Sequence, residues 1–292
     1  MNFLLEFSAR FPEIFTINVG SGIDQAVRAF ARNNRAILDV FRTIIAQAVI
    51  RINNTLLAMP WWLIILIVVF LGYKATKKWQ NGVLYGALVF LIGTFGLWNL
   101  MLETLSIIIL SVLVALMIGF PLGIAVAMNE KINSIVRPIL DLAQTMPSFV
   151  YLIPAAMLLG VGRTPAVIAT VIYSVVPMVR MTSHGIIHVD KEVIEASTAF
   201  GSTGFQTLVK VQIPQALPTI MTGVNQTIMM AMAMVVTCAL IGANGLGMEI
   251  LVNTQRVNIG GALLPGISIV ILAMVLDRIT QGMVRAEKEK ES

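Results

Sequence analysis

Apolar positions along the chain collect into seven runs: Pro60 to Tyr73, Val83 to Trp98, Leu100 to Met128, Ile139 to Val161, Pro165 to Thr182, Thr219 to Ile241 and Ala262 to Gln281. A helix crossing a hydrocarbon core of about 30 Å needs about 20 residues, so the first, second and fifth runs are expected to extend beyond these limits. Positive residues punctuate the runs. Lys74, Lys77 and Lys78 follow the first; Lys131 and Arg137 follow the third; Arg180, Lys191 and Lys210 flank the gap after the fifth; Arg285, Lys288 and Lys290 close the chain. Strict alternation puts all four clusters on the cytoplasmic side. The segments near Asn99, Gly162 to Thr164 and Gly242 to Gly261 then lie outside, with Arg163 and Arg256 as the positive exceptions. The pattern predicts an all-α polytopic membrane protein of about seven spanning helices, C-terminus cytoplasmic and N-terminus extracytoplasmic.

Residues 1–58 read differently. Ile23, Val27, Phe30, Ala31, Ile37, Phe41, Ile44, Ile45 and Ala48 recur at helical spacing while the arginines Arg28, Arg32, Arg35 and Arg42 fall mostly on other faces. This predicts an amphipathic helix on the membrane surface, assigned to the outer side by the alternation. Positive-inside reasoning alone would keep so many arginines in the cytoplasm, and a solvated helix folded back on the subunit stays open. No compact apolar stretch with a small-residue cleavage site marks a signal peptide. The remaining divisions are two spanning helices in 59–98, a core in 99–284 with a cytoplasmic loop at 190–217, and a charged tail at 285–292.

Composition agrees with the membrane reading: 57% hydrophobic residues, 12% charged and a mean hydropathy of +0.87 leave too little polar surface for a soluble globule. The net charge of +5 does not indicate nucleic acid, because the basic residues sit beside apolar runs. A single cysteine, Cys238, lies within an apolar run, which excludes an intramolecular disulfide. His184 and His188 share a helix face by spacing but lack further ligands, so no metal is expected. No lysine follows a glycine anywhere, so the phosphate-cradling Gly-x-x-x-x-Gly-Lys loop is absent and no enzymatic site is predicted.

Proline and glycine interrupt several runs. Gly119-Phe120-Pro121 is expected to kink the third, and Met146-Pro147 with Pro154 to distort the fourth. The polar gap between the fifth and sixth runs has its own logic. Asp190-Lys191-Glu192 suits a helix start, Gly201 and Gly204 permit a turn, and Phe205 to Gln212 suits a second short helix that Pro214 ends.

In this gap Glu195-Ala196, Gly201 and Ile213-Pro214 resemble the cytoplasmic coupling loop of ABC importer permeases. The segments Asp141 to Tyr151, Lys210 to Pro214, Gly223 to Met229, Gly245 to Gly247 and Leu276 to Gln281 resemble, in order, the permeases of glycine betaine/proline-type importers. Departures are Ser197 where the signature prefers alanine, Val211 and Ile213 where it prefers Ile and Leu, and Cys238 with Ala243-Asn244 near the sixth run's outer end. The resemblance implies a type I importer domain in a bacterial inner membrane. It also implies a permease homodimer, two ATPase subunits that hold the ATP and magnesium, and an extracytoplasmic substrate-binding protein. Glu195, Ala196, Gly201, Ile213 and Pro214 are then the residues that couple to the ATPase.

A quaternary ammonium or betaine-like solute favours aromatic and polarisable surroundings. Met146, Phe149, Tyr151, Met178 and Met229 are candidates for its path, with the intramembrane polar residues Glu103 and Asn225. Asp141 is expected to pair with Arg137, four residues before it, and Asp277 with Arg278. The rival function is an ion-coupled secondary transporter acting without an ATPase, which needs mid-membrane ion ligands and repeated halves that the sequence does not display.

Overall fold

The computed structural model describes residues 19–291, with side chains through Gly282. Arg10, Arg285, Lys288 and Lys290 lie outside the described side chains. Among the described residues every regular element is helical. An amphipathic α1 (Val19–Asn33) leads through Asn34 into α2 (Arg35–Ala58), and a bend of 98° at Met59-Pro60 separates α2 from α3 (Trp61–Thr76). The expected apolar stripe is present and outward: Ile23, Phe30, Ile37, Phe41 and Ile44 are all more than half exposed.

Helices α3 and α4 (Trp79–Thr94) pack as a hairpin, tied near one end by Trp61 against Phe90 with ring centroids 6.1 Å apart. Each has 16 residues, which at about 1.5 Å per residue is about 24 Å. Neither alone reaches the span length that α5 (Trp98–Met128), α8 (Arg163–Ile187), the helix ending at Ile241 and α13 (Ile259–Glu291) attain. Among the described residues four helices are long and apolar enough to cross by themselves, and up to six spans are present if each of two bent pairs counts as one. The run expected at Val83 to Trp98 stops at Thr94, and Trp98 instead begins α5.

The run Ile139 to Val161 is not one helix. It comprises α6 (Glu130–Thr145), a 3₁₀ turn at Ser148–Tyr151 and α7 (Leu152–Leu159), bent by 111°. Pro147 is the cause, because its ring forces the preceding residue out of the helical region; Met146 sits at φ −68, ψ 136. By contrast α5 continues through Pro121.

The main core lies where α5, α8, α11 (Ile213–Cys238) and α13 meet, around Ile108, Val167, Met234 and Leu272. Gly119 lets α5 approach α8 closely, since a Cβ there would stand 2.8 Å from the Cβ of Met178. A second core of Met178, Ile186, Val189, Leu208, Ala216 and Ile220 lies at the other end of α8, and the polar loop rests on it.

Candidate functional site: the loop between α8 and α11

The loop begins with Asp190, whose carboxylate accepts from the Glu192 amide and caps α9 (Lys191–Ala199). Glu195 is therefore mid-helix, exposed, and without a hydrogen bond or ion pair in the described protein. Capping is done by Asp190, so the Glu195 carboxylate is free to face a partner.

Helix α9 ends in a Schellman motif. The Ser202 amide donates to the Ser197 carbonyl at 3.2 Å and the Gly201 amide to the Thr198 carbonyl at 2.9 Å, with Gly201 at φ +84. Only glycine takes that conformation freely. Gly204 is not part of the turn; it opens α10 (Gly204–Thr207), where Thr203 and Gln206 form a reciprocal capping box. Ser197 and Thr207 hydroxyls meet at 3.2 Å and clasp the two short helices together. Ile194 and Leu208 anchor the pair on the second core, while Phe200 and Phe205 are 92% and 73% exposed on either side of the turn.

Pro214 does not end the second helix. A π turn at Leu208–Gln212 carries α10 directly into α11, the Ile213 amide donating to Leu208 five residues back. The wider turn directly precedes the proline and makes room for its ring, and Pro214 stands second in α11. Loop and span form one apolar helix of 38 residues, Gly204 to Ile241.

The path candidates separate into groups. Met146, Phe149 and Tyr151 share the α6–α7 break; Phe149 is exposed, and the Tyr151 hydroxyl donates to the Ala143 carbonyl across the break. Tyr173 of α8, which sequence reasoning missed, stands 6.3 Å from Tyr151 between ring centroids. Asn225 and Met229 are one turn apart on α11. Met178 is buried against Gly119 and reaches no surface. Glu103 is engaged by Arg163 at 2.9 Å, joining the N-terminal ends of α5 and α8.

Two expected pairings are corrected. Asp141 binds Arg180 of α8, not Arg137, because the packing of α6 against α8 brings the Arg180 guanidinium to it. Asp277 accepts from Asn225 at 2.9 Å and Gln281 at 2.7 Å rather than from Arg278, its chain neighbour, which points to another side of the helix. Thr280 also donates to the Asn225 amide oxygen, so α11 and α13 are joined by a closed polar set.

The two-helix loop is thus seated on the second core and presents the Glu195 carboxylate and the rings of Phe200 and Phe205 outward. Residues 119–287 match a family described as binding-protein-dependent transport system inner membrane component. The chain belongs to this family. Similar proteins include a glycine betaine/carnitine transport permease of Listeria monocytogenes, 41% identical over 96% of this chain and 100% of the relative. A glycine betaine/proline betaine transport system permease of Escherichia coli is 38% identical over 93% of this chain and 75% of its own. In fold the chain is similar to inward-facing structures of the MetNI methionine ABC transporter, at TM-score 0.57 and 24% identity, over 63% of this chain and 93% of that one.

Membership makes the chain a multi-pass inner-membrane permease, a transport subunit whose family implies a separate ATPase and a substrate-binding protein as partners.

Proposed function

We propose that the chain imports a small quaternary ammonium or betaine-like solute, drawn from glycine betaine, proline betaine, choline, carnitine and trimethylamine N-oxide. The observation that carries this is collinear similarity along the whole chain to a relative named for glycine betaine and carnitine transport. Relatives named for trimethylamine N-oxide transport, 36% identical over 77% of this chain, widen the solute class. In this reading two permease copies stand over two ATPase subunits, which bind ATP and magnesium, and a binding protein delivers solute from outside. Glu195, Ala196 and the Gly201 turn meet the ATPase, and the continuous helix through Ile213 and Pro214 carries the displacement inward. Met146, Phe149, Tyr151, Asn225 and Met229 line the passage. In this reading α2, bent 98° from α3, lies along the outer surface with the N-terminus outside.

The test is uptake of radiolabelled glycine betaine into vesicles holding permease, ATPase and binding protein. Uptake is expected with ATP and none with an ion gradient alone. Uptake that persists without ATP overturns the reading in favour of an ion-coupled transporter. A reporter near Ala26 is expected outside and one after Lys78 inside; the same side for both refutes the topology.

A further inference from the structure

A cavity of about 440 Å³ lies where α5 and α8 end and α6 begins, on the side of the coupling loop. We propose that it binds the phosphate headgroup of an anionic phospholipid from the inner leaflet. Its polar lining is Asn133, Arg137, Arg180, Ser183, His184 and His188. No carboxylate is among its lining residues, and Asp141, just outside it, is bound to Arg180. Arg137 has no ion pair, and Asn133 and Ser183 make no side-chain hydrogen bonds among the described residues. The rings of His184 and His188 lie side by side with centroids 3.9 Å apart and planes tilted by 38°, and the Nδ1–H of His188 donates to the His184 carbonyl at 2.8 Å, so the free donors are those of Arg137, Asn133 and Ser183. Unused donors and net positive charge thus converge on one space, which suits a singly charged phosphodiester.

A lipid fits better than a free anion because the cavity is half apolar and sits at headgroup depth. Leu140 and Val179 form its floor. Two spans end beside it, at Met128 and Ile187. The opposite face of α6 exposes Ile135, Ile139 and Leu142, at 65, 59 and 61%, as a helix seated at the acyl boundary does. Basic pockets between spans at the cytoplasmic boundary hold anionic headgroups by this combination of charge and depth. The inference does not depend on which solute is carried.

The experiment is native mass spectrometry of the detergent-purified permease–ATPase complex, titrated with phosphatidylglycerol, with phosphatidylcholine, or with glycerol 3-phosphate as the soluble anion. The complex is expected to retain phosphatidylglycerol and to release the other two. Arg137 is exposed and its side chain makes no bond among the described residues, so Arg137→Gln is expected to leave the fold intact. This variant is expected to lower phosphatidylglycerol retention about tenfold, the scale of one charge-assisted contact, and Arg137→Lys to restore most of it. Equal retention in Arg137→Gln and wild type overturns the site. Full displacement of the lipid by an equal concentration of glycerol 3-phosphate overturns the lipid assignment.

Discussion

Replacing Gly201 by alanine isolates the backbone contribution of the coupling turn. Nothing lies within 4 Å of the Cβ that the substitution adds, so it introduces no collision. What remains is the left-handed conformation at φ +84, which costs an L-residue about 1–2 kcal/mol. That cost falls on the Schellman motif, because Gly201 and Ser202 donate the two bonds that close α9. A penalty of this size raises the population of the opened turn about five- to thirtyfold. Hydrogen exchange in the purified complex measures it directly, as faster exchange of the Gly201 and Ser202 amides, while ATP-driven uptake falls and membrane insertion stays normal. Gly204→Ala is the matched control, since its Cβ also meets nothing within 4 Å but its backbone is already helical. It is expected to leave both amides unchanged. Asn at 201, which tolerates the left-handed region, should fall between the two. If alanine at 201 and alanine at 204 behave alike, the turn does not depend on glycine and the reasoning fails.

Three further outcomes follow from the side-chain partners. Glu195→Gln should weaken ATPase association about tenfold or more, the scale of a charge-assisted contact of about 1.5–3 kcal/mol, read as lower co-purification, and rising salt should weaken the wild-type complex more than the variant; an identical salt profile for the two removes Glu195 from the interface. Glu103 and Arg163 are each about one-quarter exposed, so a double-mutant cycle to Gln, read by thermal unfolding in detergent, should give a coupling of about 1 kcal/mol, shrinking in high salt; additive effects refute the pairing. Asn225→Leu should destabilise by about 1–3 kcal/mol by leaving Asp277 short of a donor, and Asn225→Leu combined with Asp277→Leu should cost less than the sum; simple additivity counts against the joined network.

The long apolar runs were legible because lipid imposes a length and a composition that few soluble helices meet, and α5, α8 and α13 follow the sequence closely. Local signals at the loop were equally readable: Asp190 as a cap and Gly201 as a left-handed turn need only neighbouring residues to decide them. Failures arose where a distant element decided the outcome. Asp141 had a helical partner at the right spacing in Arg137, yet α8 brings Arg180 to it, and no local pattern encodes that approach. Asp277 similarly found Asn225, 52 positions away. Pro147 and Pro214 show the same limit from the opposite side. Both were read as interruptions; Pro147 breaks its helix, whereas a π turn just before Pro214 accommodates the ring.

That π turn bears on how the loop and the membrane are joined. Had the second short helix ended at Pro214, a flexible connection would separate the docking surface from α11. Instead the backbone hydrogen bonding runs on from Gly204, and Leu208 at the start of the turn is buried in the same cluster as Ile186 of α8 and Ile220 of α11. In the proposed coupling, displacement of the loop would act on α11 through the helix itself and through packed side chains at once. Farther along the same helix, Asn225 is bonded to Asp277, so α13 is drawn into the motion through polar contacts that resist sliding. The π turn, whose hydrogen bonds span five residues, is the one departure from α-helical bonding between Gly204 and the span.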